Sequence, residues 1–236
     1  MNSELHPSKL GTKEYWDKVY ESEITNFEEI GDEGEVCRIH RFGIESVKNM
    51  VKWVTDNVPI STNPSVLEIG AGNGALLFGL CEAGYPATSL SGIDYSPGAV
   101  KLAKAIASSR GYEIAFHACE FLHEDPPGLS HTKREVLALW DVMLDKGTFD
   151  AIALSEKDEK GNSPATDYPG RIGRLLKSGG HFLITSCNFT EDELKKLFAT
   201  TETGLVYHSR VTRPVFTFGG IKGSAYSSVA FQKTPC

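Results

Sequence analysis

The residues best suited by type and spacing to do chemistry in this 236-residue chain begin in one run, Val66-Leu67-Glu68-Ile69-Gly70-Ala71-Gly72-Asn73-Gly74. An apolar stretch enters three alternate glycines there, and such a turn lets backbone come close to a ligand. In the dinucleotide-binding version, G-x-G-x-x-G, the third glycine and a helix N-terminus serve a pyrophosphate. Here the third glycine arrives one residue early, so a ligand without a diphosphate is expected. Glu68, just ahead of the loop, puts negative charge where a cationic amino group can be held. Asp94 then suits both hydroxyls of a ribose, with Tyr95 beside it in the same site. Glu120 can meet an adenine amine and Phe121 can cover the ring. Ammonium, ribose and adenine occur together in S-adenosylmethionine, which also carries a sulfonium, and this is the ligand the set predicts. Glycine turns after strands are often only tight turns; the weight lies in the series of Gly70, Asp94, Glu120 and Asp145 along the chain.

The reacting end is expected from Asp145-Lys146-Gly147-Thr148-Phe149-Asp150 and from Ser186-Cys187-Asn188-Phe189. Attack on a sulfonium methyl needs a neutral amine, and a lysine amine has an ordinary pKa of about 10.4. Burial and the adjacent positive sulfur favour loss of its proton, while an acceptor is needed to orient it. Asp145 is the candidate acceptor and is assigned to both the catalytic and the cofactor site; its competing role is an N-cap or turn acid. Asn188 either accepts from the amine or caps the following helix. Cys187 reads as a small residue near the ligand and not as a nucleophile. His117, Cys119 and His123 lie close together, but no second paired ligand motif follows, and no metal is expected.

These residues need elements to hold them at one edge. Val47, Val51, Val54 and Val58 mark an amphipathic helix from Ile44 that Pro59 closes. Ser65 to Ile69 reads as a strand and Ala75 to Ala83 as a helix stopped at Gly84. Leu90 to Asp94 is a second strand, after which Ser96 offers an N-cap and Pro97 a first helical position. Glu113 to His117 and Leu139 to Leu144 supply strands three and four. Arg171 to Lys177 is predicted helical and stopped by Gly179-Gly180, and His181 to Thr185 is the next strand. Thr190 with Glu193 forms a capping box for a helix to about Ala199. Leu205 to Val211 and Ala225 to Gln232 read as two strands with no helix between them, hence antiparallel. The expected architecture is α/β: a seven-stranded, mostly parallel Rossmann-like sheet with an antiparallel C-terminal pair and helices on both faces. Residues 43–236 form that domain. Residues 1–42, acidic and interleaved with Tyr15, Trp16, Tyr20 and Phe27, are expected to be an arm or lid broken at Gly31 and Gly34. Ser155 to Ser163 reads as a solvated loop.

Composition narrows the partners. Lysine plus arginine is 24 against 31 aspartate plus glutamate, a net charge of −7, which argues against general nucleic-acid binding and suits a basic protein partner. Five widely spread cysteines without a C-x-x-C pair fit reduced thiols. Met1 to Lys9 has no apolar h-region, and no stretch reaches the ~20 apolar residues of a membrane span. A cytoplasmic monomer, with the nucleus as a second compartment, is the expectation.

At the level of motifs the chain resembles the elongation factor 1-alpha lysine methyltransferases of the methyltransferase-like protein 10 type, whose fungal members are named for translation elongation factor. The shared segments are Leu10-Gly11-Thr12-Lys13-Glu14-Tyr15-Trp16-Asp17, Gly31-Asp32-Glu33-Gly34-Glu35, the glycine loop, Gly92-Ile93-Asp94-Tyr95-Ser96, and Asp145 to Asp150. Ser186-Cys187-Asn188-Phe189-Thr190 and Phe216-Thr217-Phe218-Gly219-Gly220 complete them. The glycine loop is common to class I methyltransferases; the N-terminal, S-C-N-[WF]-T and F-x-F-G-G segments together are specific to this group. The resemblance implies the class I fold, S-adenosylmethionine as methyl donor, and a lysine of elongation factor 1-alpha as acceptor. The chain departs from the pattern in three places. The family tryptophan is missing between Gly34 and Glu45, Glu120 stands where aspartate is usual, and the segment from Gly128 to Val136 is enlarged. Intracellular transport, associated with fungal members, is not addressed by these residues. The competing readings are a small-molecule methyltransferase and a cofactor-binding module without catalysis; a nicotinamide reductase is more distant.

Overall fold

A computed structural model describes residues 5–31, 43–129, 139–211, 216–218, 221–223 and 226–235. Its centre is β1 (Val66–Ile69), a short strand buried at every position. Beside it run β2 (Leu90–Asp94) and β4 (Trp140–Lys146), both parallel to it, and β3 (Ala115–Ala118) pairs parallel with β2. β5 (Leu176–Ser186) extends the sheet on the other side, and β9 (Ser227–Lys233) and β6 (Leu205–Arg210) close it antiparallel. The strand order is β3-β2-β1-β4-β5-β9-β6, so the direction of winding reverses between β1 and β4. In open α/β sheets a ligand cleft forms at that reversal, beyond the carboxyl ends of the strands.

Two apolar layers cover the sheet. One holds Met50, Trp53 and Val54 of α2 (Gly43–Asn57), Leu76, Leu77 and Leu80 of α3 (Ala75–Glu82), and Leu102 and Ile106 of α4 (Pro97–Ser109). The other holds Phe149 of α5 (Thr148–Ala153), Tyr168 and Ile172 of α6 (Tyr168–Leu175), and Leu194 and Phe198 of α7 (Glu191–Phe198). The expected capping box at Thr190 and Glu193 is formed at the start of α7. Ser96 precedes α4 as anticipated, yet its hydroxyl donates to Asp17 Oδ1 at 2.6 Å and makes no cap bond.

Three elements were not foreseen. An 18-residue helix, α1 (Lys13–Ile30), packs against α4 and ends at Gly31, whose φ is 76°. The six-residue α5 follows β4 directly. A ribbon of β7 (Phe216–Phe218) and β8 (Ile221–Gly223) interrupts the C-terminal pair. One boundary also changes: α6 stops at Leu175 and β5 begins at Leu176, so Gly179 and Gly180 lie inside the strand. They absorb the register shift between Trp140 and Val142 of β4. The segment 32–42, most of 128–136, and Gly219 with Gly220 lie outside the described residues, and so do the departures and motif positions that fall there.

A Cβ at Gly180 would stand 2.8 Å from the backbone oxygen of Asp141, whereas one at Gly170, inside α6, meets nothing within 4 Å. Gly180→Ala is expected to lower stability by about 1–3 kcal/mol. Gly170→Ala is expected to leave it unchanged or raise it by up to about 1 kcal/mol. Urea unfolding of the two variants measures both.

Candidate active site

Beyond the carboxyl ends of β1, β2 and β4 lies a cavity of about 440 Å³. Its floor is the loop Gly70–Asn73, where Gly70 and Gly72 take left-handed φ values of 63° and 57°. A Cβ at Gly70 would fall 2.0 Å from Thr148 Oγ1, and that hydroxyl donates to the Ile69 carbonyl at 2.8 Å. A Cβ at Gly72 would lie 2.7 Å from the Tyr20 hydroxyl. The close approach inferred from the glycines is therefore made first by the protein's own α5 and α1. Gly74 does not border the cavity; it begins α3 against Phe116 and Phe78.

Asp94 borders the cavity where β2 ends and is itself buried. Its two oxygens accept from Gly72 N at 3.0 Å and Ser96 N at 2.9 Å, which locks the glycine loop to the β2–α4 turn. Burial, opposed by these two backbone bonds, pushes its pKa up to about 6. Tyr95 borders the cavity too, and burial raises its phenol. Glu120 lies exposed at the rim and Phe121 is buried, 5.0 Å from the Tyr168 ring and under the Arg171 guanidinium at 5.3 Å. Glu68 is 1 % exposed, and its Oε2 has no hydrogen-bond partner among the described residues. Burial raises its pKa to about 8, opposed mainly by the charge of Lys146.

Asp145 is placed differently from the expectation. It is fully buried, does not border the cavity, and accepts from Thr148 N at 2.8 Å, Phe149 N at 3.0 Å and Tyr168 Oη at 2.5 Å. Both oxygens are thus engaged in starting α5 and fastening α6, the turn-acid role that had been its alternative. Burial pushes its pKa up to about 7 against those bonds. Asn188 also lies away from the cavity lining; its backbone N donates to Ser186 Oγ at 3.2 Å, while its side-chain Nδ2 is buried without a partner. Behind it Asp150 accepts from Ser186 Oγ at 2.5 Å and from Cys187 N at 2.8 Å. Among the described residues no three His, Cys, Asp or Glu side chains gather as a metal site.

The roof was missed by motif reading of the site. Gly11, Lys13, Trp16 and Tyr20 border the cavity from above. This strap is tied down at both ends: Ser8 N donates to Leu154 O at 3.0 Å, Ser155 Oγ to Gly11 O at 2.8 Å, and Ser96 Oγ to Asp17. Gly11 lies so close to α5 that a Cβ would stand 2.2 Å from Leu154 O. The signal for it was present in Trp16, Tyr20, Ile24 and Phe27, a helical stripe packed on the core. Lys146 and Thr148 complete the lining from the end of β4 and the start of α5.

Two measurements follow from this geometry. Asp145→Ala leaves a buried tyrosine hydroxyl and two helix N–H groups without an acceptor, at about 1–3 kcal/mol for each orphaned donor. The variant should unfold at markedly lower denaturant, with Tyr168→Phe showing part of the loss. Asp94, Asp145 and Glu68 all hold protons in the folded state above their ordinary values of 3.8, 3.8 and 4.5, up to about 6, 7 and 8. Folded protein then binds more protons than unfolded protein across that window, so stability falls as pH rises through it. The melting temperature of the ligand-free protein is expected to drop between about pH 5 and 8, and Glu68→Gln to flatten the upper part of that slope.

Against known proteins, the family model described as "Methyltransferase domain" matches residues 60–228. Protein-lysine N-methyltransferase efm4 of Schizosaccharomyces pombe is 41% identical, over 99% of this chain and 98% of its own. Human EEF1A lysine methyltransferase 2 is 37% identical over 96% of this chain and 88% of its own. Among solved structures, the N-methyltransferase NodS of Bradyrhizobium japonicum, in complex with S-adenosyl-L-homocysteine, aligns with a TM-score of 0.58 at 16% identity. That alignment covers 92% of this chain and 98% of NodS, and supports the fold alone. The seven-stranded order with its antiparallel end is that of the class I methyltransferases, and the chain belongs to the family of protein-lysine N-methyltransferases that contains efm4 and EEF1A lysine methyltransferase 2.

Proposed function

We propose that the chain transfers a methyl group from S-adenosylmethionine to a lysine side-chain amine of translation elongation factor 1-alpha. The observation that carries this reading is identity of 37–41% along nearly the whole chain to enzymes named for that reaction or that substrate. The cavity residues fit the cofactor. Glu68 has a buried oxygen without a partner to offer an ammonium, Asp94 stands at the edge for a ribose, and Glu120 with Phe121 faces an adenine. The loop at Gly70 and Gly72 brings backbone into the lining. When bound, S-adenosylmethionine supplies an electrophilic methyl group on a positively charged sulfur.

The work of the chain's own residues is placement and exclusion of water. Trp16, Tyr20, Phe121 and Ile152 give the cavity apolar walls, where an arriving ammonium is desolvated and its neutral form is favoured. Holding amine and methyl in line can supply about 7–11 kcal/mol of the barrier. With both Asp145 oxygens engaged, Asn188 is the remaining candidate to orient the amine. Turning its side-chain amide by half a revolution puts the oxygen where the partnerless nitrogen now lies. A net charge of −7 supports encounter with a basic translation factor. Among the described residues no helix is long and apolar enough to cross a membrane. The cytoplasm, where that substrate is met, and a monomeric state complete the proposal.

The test is labelled S-adenosylmethionine with elongation factor 1-alpha taken from cells lacking the endogenous enzyme, followed by mapping of the labelled residue. Methyl-lysine on that protein is the expected result. Cofactor binding without any labelled protein would move the reading to a small-molecule acceptor. Asp94→Ala is expected to weaken S-adenosylhomocysteine binding by about tenfold or more in calorimetry, through loss of the ribose acceptor and of the Gly72 anchor.

A further inference from the structure

The cofactor reading leaves one charged cavity residue without a role, Lys146 at the end of β4. The sheet register relates it to Glu68. Glu68 pairs with Leu144 across the β1–β4 ladder, and Val66, Val142 and Leu144 all belong to the apolar layer under α3. Ile69, Leu67 and Met143 belong to the opposite layer. Side chains alternate along a strand, so Lys146, two residues after Leu144, leaves the sheet on the same face as Glu68. The two are in electrostatic contact. One carboxyl oxygen of Glu68 is bonded by the Leu77 backbone N–H in the first turn of α3, and Oε2 has no partner.

The glycine loop thus ends between a buried acid and a lysine that faces the same cavity. A nucleoside offers neither of them a partner. An amino acid offers both, since its ammonium answers the acid and its carboxylate answers the lysine. We propose that Lys146 receives the α-carboxylate of the cofactor while Glu68 receives its α-ammonium, so that the pair selects a zwitterion at this end of the cavity. The inference rests on S-adenosylmethionine being the cofactor and adds the residue that reads its carboxylate. The competing role for Lys146 is to offset the Glu68 charge within the protein, with no contact to ligand. Truncating either member of a buried charge pair leaves the other uncompensated, so loss of activity alone does not separate the two roles.

Three ligands separate them by calorimetry: S-adenosylhomocysteine, its decarboxylated analogue that keeps the amine, and 5′-methylthioadenosine, which lacks both charged groups. Lys146→Gln is expected to weaken S-adenosylhomocysteine by about tenfold or more, the scale of one charge-assisted contact. The same substitution should leave the other two ligands within about twofold of the unsubstituted protein, and Lys146→Arg should restore most of the loss. Retained binding of 5′-methylthioadenosine shows that the variant is folded. Unchanged affinity for S-adenosylhomocysteine, or equal weakening of all three ligands, overturns the assignment. If the unsubstituted protein binds none of the three, the cofactor reading falls and this inference with it.

Discussion

The fully buried carboxylate of Asp145 is the contact on which the rest of the site depends. It accepts from the first two N–H groups of α5 and from the Tyr168 hydroxyl of α6. An anion at a helix N-terminus is favoured by the unsatisfied donors there, and α5, only six residues long, has little else to start it. From α5 the dependence passes outward. Thr148 fills the space at Gly70 and bonds the Ile69 carbonyl, Ala151 and Ile152 wall the cavity, and Leu154 and Ser155 anchor the strap. Loosening the carboxylate would thus be felt at the floor, the wall and the roof together.

A second carboxylate repeats the pattern on the neighbouring strand. Asp94 binds the backbone of the glycine loop and of the turn into α4, while the Ser96 hydroxyl beside it holds Asp17 of α1. Both acids are desolvated and both carry raised pKa values. Groups held in that condition are costly to fold around, and proteins retain them where function requires the charge or its donors to be fixed in advance. Glu68 differs in being only half satisfied, which leaves it capacity to bind a further group.

Much of this was readable in the residues. Apolar runs closed by Gly70 and Asp94, proline at the first position of α4, and the Thr190–Glu193 box are local signals, and each gave its element and the edge it faces. What spacing cannot supply is the identity of a neighbour distant in sequence. Asp145 was expected to meet a substrate amine because nothing near it in the chain announces Tyr168, 23 residues on, as its partner. Gly179-Gly180 was read as a helix stop because a β-bulge is specified by the facing strand and not by the glycines alone. The stripe of Trp16, Tyr20, Ile24 and Phe27 was legible, but Lys, Glu and Asp between them masked its periodicity and left α1 described as an arm.

The roof contributes something the glycine loop cannot. Gly11, Lys13, Trp16 and Tyr20 come from a stretch more than forty residues ahead of β1, yet they enclose the same volume that β1 and β2 open. A ligand of nucleoside size lying on the loop therefore cannot leave along the path by which the sheet alone would release it. Its departure requires the grip of Asp17 on Ser96 and of Ser8 and Gly11 on the end of α5 to be released. In this fold the residence time of the bound molecule is written into the first twenty residues, and the pace of repeated turnover is governed by how often that N-terminal segment lets go.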